Sequence, residues 1–240
     1  MIDGAQWNGR PQPPIDSAFV ARASSWLRDS EEMLLQRVWE GFDELARTRP
    51  AFDGRDLERS ITERLESCIQ DSMSGYEPFT VQHGPHERET MQPPPAQPPQ
   101  YDIAFVFRAD SRIMWPLEAK VLETPRTLAA YVNDVNEQFL TCRYAPFSPS
   151  GAMLGYLLSG DAEDAFNGLS TRLRCELAIP VRYAERPGRA SVHVRSVPAG
   201  KPYPKDFRCH HLIMVFAGVV RTTRIGDPHI ASEIPASESE

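Results

Sequence analysis

The sequence predicts a mixed α/β domain, a central sheet flanked by helices and preceded by an N-terminal helical extension. Two observations carry this. Apolar residues follow a 3.6-residue period as far as Ile69, whereas beyond Tyr76 the chain breaks into short β-rich runs alternating with amphipathic stretches.

Residues 1–14 are polar and Pro-rich and read as a disordered leader. Ser17 to Leu27 forms a short helix. Asp29 and Ser30 then cap a second, longer one, with Leu34, Leu35, Val38, Trp39, Phe42 and Leu45 on one face. The pair Arg49-Pro50 ends this extension, which covers residues 15–54. Asp56 opens another helix, striped by Leu57, Ile61, Leu65, Cys68 and Ile69. Phe79 to Gln82 is a short strand, and Pro85 to Gln100 is a loop holding six of the 22 prolines. Tyr101 to Phe107 and Arg112 to Leu122 are strands joined by a polar turn. Thr124 as N-cap with Pro125 at the first helical position starts a helix running to about Cys142. The nearly all-apolar Gly151 to Ser159 is a buried strand, Asp161 to Leu173 a helix, and Ser191 to Val197 and His211 to Ala217 complete the sheet. Residues 225–240 read as an acidic tail.

Length and composition narrow the class. The chain has 240 residues, 41% hydrophobic and 25% charged, which suits one soluble domain. Its longest apolar run, Leu212 to Val220, is half of what a bilayer crossing needs. No secretory leader is visible, and Cys68, Cys142, Cys175 and Cys209 lie too far apart for a zinc motif or disulfide framework. A cytoplasmic protein with reduced thiols and no membrane contact is expected. The net charge of −7 is unevenly spread: residues 1–100 carry 10 Arg against 17 Asp and Glu, while residues 165–210 carry 9 Lys and Arg against three acids. That imbalance either makes a cationic face for a phosphate backbone, with Arg172 and Arg174 at its start, or is simply solvated surface.

The chemistry concentrates on two strands. Asp102 stands near the start of the first, and Glu118-Ala119-Lys120 late in the second. Alternation along a strand puts Glu118 and Lys120 on one face and Ala119 on the other. Charges among Ile, Met, Trp and Leu cost several kcal/mol to desolvate unless they are paired or bind a metal. Asp102 and Glu118 holding a hard divalent cation, with the Ala119 carbonyl as a further oxygen ligand, satisfies that requirement. Lys120 beside them can position an attacking water and stabilise developing negative charge. Arginine supplies 23 of the 26 basic residues, so a lysine here is a choice: a compact ammonium fits where the wider guanidinium does not.

Asp102 followed by Glu118-Ala119-Lys120 on the next strand resembles the core of the PD-(D/E)xK nuclease superfamily. Tyr101 replaces the superfamily's proline. The resemblance covers roughly residues 55–217 and implies a restriction-endonuclease-like domain over 55–224. It implies a Mg²⁺-dependent (or Mn²⁺-dependent) nuclease cutting phosphodiester bonds, foremost in DNA, with roles in restriction, phage defence or repair. In the superfamily the helix before the strands often adds an acidic ligand. At about 100° per residue, Glu58 lies about 20° from Leu65 and projects from the inward stripe, Glu63 faces solvent and Glu66 is the reserve. The helix after the third strand carries Gln and Tyr for the phosphate in several families. Here Gln138 and Tyr131 share a face, although Tyr131 reads more readily as a core aromatic, and the Gln-x-x-x-Tyr spacing of the RecB branch is absent. The alternative is a non-catalytic subunit on the same fold, docking a protein partner or dimerising through the N-terminal helices. A hydrolase of another phosphate ester is a third possibility. His83 and His86, on a loop near the mouth of the site, are candidate substrate contacts, and His210 and His211 read as a packed pair.

Overall fold

The computed structural model describes residues 15–90, 98–124, 126–216 and 221–222. The expected leader and tail, Pro125 and Ala217 lie outside them. Helix α1 (Ser17–Thr48) is followed by β1 (Phe52–Asp53), α2 (Leu57–Ser72), β2 (Phe79–His83), β3 (Ile103–Phe107) and β4 (Met114–Leu122). Then come α3 (Ala129–Asp134), β5 (Ser150–Leu157), α4 (Ala162–Leu173), β6 (Gly188–Val194), β7 (Asp206–Val215) and β8 (Arg221–Thr222). Six strands form one mixed sheet in the order β2-β3-β4-β5-β7-β6. Its β2-β3-β4 half is antiparallel, β4-β5-β7 is parallel, and β6 returns antiparallel to β7.

The N-terminal region departs from expectation. One uninterrupted helix of 32 residues replaces two, because no Gly or Pro stands between Phe19 and Leu34 and the apolar face runs straight through. Asp16, not Asp29, is the N-cap, its Oδ1 accepting the Phe19 N–H at 2.7 Å. Nor is α1 an appendage. Phe19, Ala23, Leu27, Leu34, Val38 and Leu45 are buried in the core shared with α2 and the odd-numbered side chains of β3 and β4. The apolar face of α1 is therefore spent inside the fold.

The opposite face of the sheet is covered by α3 and α4. Gly155 of β5, opposite Lys120, permits the close fit there: a Cβ would stand 2.6 Å from Ile213 and 2.9 Å from Leu122. The helix expected from Thr124 begins only at Ala129, because Thr124 closes a turn instead, its carbonyl accepting from the Thr127 N–H and hydroxyl. It ends in a π-turn over Val135–Phe139, with the Leu140 N–H donating to the Val135 carbonyl.

The charge imbalance resolves partly into internal pairing. Glu31, Glu32 and Asp43 of α1 pair with Arg208, Arg182 and Arg186, and Arg189 pairs with Glu163. Three of the nine cations counted over residues 165–210 are thus paired with the acidic first helix. One cation is buried instead. Arg195, 4% exposed, donates to the carbonyls of Phe139 (2.9 Å), Ser148 (3.1 Å) and Tyr144 (2.8 Å). Burial lowers its pKa to about 10. Arg195→Met removes the donor to the Ser148 and Tyr144 carbonyls and leaves that of Phe139 with the Cys142 N–H alone. A loss of about 2–4 kcal/mol is expected, seen as a thermal midpoint about 5–10 °C lower. An unchanged midpoint would contradict this assignment.

Candidate active site

Antiparallel pairing of β3 with β4 brings Asp102, immediately before β3, to the same sheet end as the late residues of β4. The Asp102 Oδ2 accepts the Ala119 N–H at 2.7 Å, locking the carboxylate onto the neighbouring strand. Glu118 and Lys120 share a face, as alternation requires, while Ala119 is buried in the opposite core. From α2, Glu58 reaches over: its Oε2 accepts the Val121 N–H at 2.9 Å and its Oε1 lies 3.6 Å from Lys120 Nζ. Glu63 is exposed and paired with Arg59, so of these two acids of α2 it is Glu58 that reaches Lys120.

Lys120 is the hub. Its Nζ donates to Glu118 Oε1 at 3.0 Å and to the Ala119 carbonyl at 2.8 Å, and lies 3.0 Å from Asp134 Oδ2. Four carboxyls (Glu58, Asp102, Glu118, Asp134) thus surround one ammonium. Burial first, and the Asp102 carboxylate second, hold the Glu118 carboxyl well above its usual range. Burial raises Asp102 and Glu58 as well, each opposed by Lys120 and a backbone N–H. For Lys120, burial favours the neutral amine, but Glu118, Glu58, Asp134 and Asp102 together raise its pKa above that of a free lysine.

The second oxygen of Glu118, Oε2, is buried and has no hydrogen-bond partner. An acceptor oriented to no donor beside a second, half-buried carboxylate is what a hard cation needs, so Asp102, Glu118 and the Ala119 carbonyl suit Mg²⁺ by donor type. No group of three or more His, Cys, Asp or Glu side chains among the described residues is assembled to hold a metal ion. The Lys120 ammonium already occupies oxygens of Glu58, Glu118 and Asp134 and the Ala119 carbonyl. Glu58, expected as a ligand, faces Val121 and Lys120.

The remaining candidates divide. Gln138 lines a recess of about 500 Å³ with His86, Gln100, Arg143 and Tyr144, beside the acids. A second cavity of about 370 Å³, lined by Glu58, His83, Gln100 and Asp102, opens on their other side. Tyr131 does not reach the site. It is fully buried, its hydroxyl within hydrogen-bond range of the Met153 carbonyl (3.2 Å) and His211 Nδ1 (3.0 Å), so its expected contact with substrate is corrected to a core role. His211 is equally internal, and burial lowers its pKa to about 3. Arg172 and Arg174, at the end of α4, border a separate shallow recess with Asn133 and Asn136. Arg172 donates to the Gly168 and Arg126 carbonyls.

Sequence reasoning missed Asp134. The signal was there: an acid three residues after Tyr131, about 60° from it on the helix. The π-turn beginning at the next residue had no such signature. Among the described residues, no helix is long and apolar enough to cross a membrane. No family model, curated protein or solved structure matches the chain.

Proposed function

We propose that the protein is a Mg²⁺-dependent nuclease with a restriction-endonuclease-like fold, hydrolysing phosphodiester bonds, with DNA as the foremost substrate. The observation that carries this reading is the pair Asp102 and Glu118, a half-buried and a buried carboxyl side by side, with an unpartnered Glu118 oxygen and an ammonium adjoining them. Stability alone does not explain such a cluster, because each buried like charge costs free energy. A polyanionic substrate would also be repelled by four acids unless a cation lay between them.

Asp102, Glu118 and the Ala119 carbonyl hold the ion. When bound, Mg²⁺ supplies a Lewis acid at the scissile phosphate. Glu58 and Asp134 keep the Lys120 amine protonated and restrict its swing. Lys120 then donates a hydrogen bond to the attacking water and stabilises charge growing on the phosphoryl oxygens. Incubating the full chain with supercoiled plasmid, linear duplex and single-stranded DNA and RNA, with EDTA, Mg²⁺ or Mn²⁺, tests the reading. Cleavage that requires the divalent ion is the expected result. If no nucleic acid is cut under any of these conditions, the nuclease reading falls and the non-catalytic subunit takes its place.

A further inference from the structure

The recess beside the acids is built at a conformational cost. Cys142 (φ 62°) and Ala145 (φ 53°) are both left-handed, although neither is glycine. Each such residue costs about 1–2 kcal/mol, and strain of this kind survives only where the surroundings impose it. Here they do. The buried Arg195 guanidinium holds the Tyr144 carbonyl, and Thr90 donates to the Arg143 carbonyl at 2.6 Å. The Tyr144 N–H donates to the Gln138 carbonyl, and the Tyr144 hydroxyl to the Gln100 carbonyl at 2.7 Å. The Ala145 N–H donates to the Tyr101 hydroxyl at 3.0 Å, which itself donates to the buried Glu87 at 2.6 Å. Tyr101 immediately precedes Asp102. One side chain therefore ties the strained loop to the residue before the first acid of the site.

What the loop presents is uncommitted. Among the described residues, the Arg143 guanidinium, the Gln138 amide and the His86 imidazole make no side-chain hydrogen bond to the protein, yet all three line the same recess. Tyr144, the next residue and a wall of the same recess, feels the charges of Glu118, Asp102 and Asp134, whereas Arg143 forms no ion pair among the described residues. The recess and the cavity at Asp102 and Glu58 have Gln100 as a common lining residue.

We infer that Arg143, with His86, forms a phosphate-holding subsite for the substrate strand, next to the bond presented to Asp102 and Glu118. A guanidinium fork matches two phosphate oxygens. The inference rests on the nuclease reading and deepens it, since it names a flanking phosphate as what the site grips. That phosphate is either an internal phosphodiester or the monoester at a strand end.

The test uses the full chain with Ca²⁺ in place of Mg²⁺ and fluorescein-labelled oligonucleotides of one sequence, ending in a 5′-hydroxyl or a 5′-phosphate. Fluorescence anisotropy is read across a salt series. Arg143→Ala and the closer isostere Arg143→Gln are expected to weaken binding about tenfold or more and to lower the salt slope by about one. Arg22→Ala, on the exposed face of α1, should match wild type. A loss shared equally by both oligonucleotides assigns an internal phosphodiester, and a loss confined to the phosphorylated one assigns a strand end. Wild-type affinity and salt slope in both Arg143 variants would overturn the subsite while leaving a metal-dependent nuclease intact. Wild-type protein that neither binds nor cuts removes both.

Discussion

Lys120→Met is expected to lower Mg²⁺-dependent cleavage by about 10²–10³-fold, the usual cost of removing one donor aimed at transition-state charge. The same change carries a stability signature that a remote structural lysine would lack. Glu58, Glu118 and Asp134 lose the ammonium between them and face one another in a partly dry site. A loss of about 2–3 kcal/mol at neutral pH follows, because a buried charge cluster without its counter-charge is strongly disfavoured. The sign with pH is fixed. Carboxyls whose folded pKa is raised, as for Glu58 and Glu118, are least costly below the ordinary carboxylate range and most costly above their raised values. The variant should therefore approach wild-type stability in mild acid and fall behind as pH rises. Thermal unfolding between about pH 4 and 8, paired with a plasmid assay, reads both effects. Retained cleavage would remove Lys120 from the mechanism.

Glu118→Gln should move activity and stability in opposite directions. Cleavage is lost with the cation ligand, yet the folded protein without metal becomes more stable by about 1–2 kcal/mol. The variant keeps the volume, removes a carboxylate that Asp102 and burial both disfavour, and leaves Lys120 with Asp134, Glu58 and the Ala119 carbonyl. Since the Glu118 carboxyl is raised in the folded protein, wild type loses stability as pH climbs through that value, and the gap to the variant widens toward neutrality. Differential scanning calorimetry in EDTA measures it. A lower midpoint for Glu118→Gln would mean that its bond to Lys120 outweighs the strain of its burial.

How much of this was legible follows from what leaves a mark in a sequence. Asp102, Glu118 and Lys120 stood out because charges inside apolar strands are conspicuous, and because alternation fixes their faces once the strands are placed. Glu58 emerged from helical angle alone. Strands β2 to β5 and helices α2 and α4 were readable from period and caps, down to the N-cap residues Asp56 and Asp161. Strands β1 and β8 were not foreseen, and β6 and β7 begin three and five residues before the bounds read from the sequence. The start of α3 was not, since a Thr-Pro pair serves a turn as well as a helix cap. The opposite charges of the two halves were counted correctly, but which acid meets which arginine is decided by tertiary packing, so a face expected to be cationic proved partly paired. Tyr131 shared the right helix face with Gln138 and still points into the core, because the π-turn between them shifts the register. The loop carrying Arg143 left no trace at all: left-handed Cys142 and Ala145 are imposed by Arg195 and Tyr101, from far along the chain.

The central claim is that two strand carboxylates and a backbone carbonyl form a cation seat beside Lys120. Crystals soaked in Mn²⁺ and measured at its absorption edge test this most directly. An anomalous peak within about 2.2 Å of both the Asp102 and Glu118 carboxylates is the predicted outcome. Saturating Mn²⁺ that leaves no peak between those two side chains, with Lys120 still clasped by its acids, would contradict it.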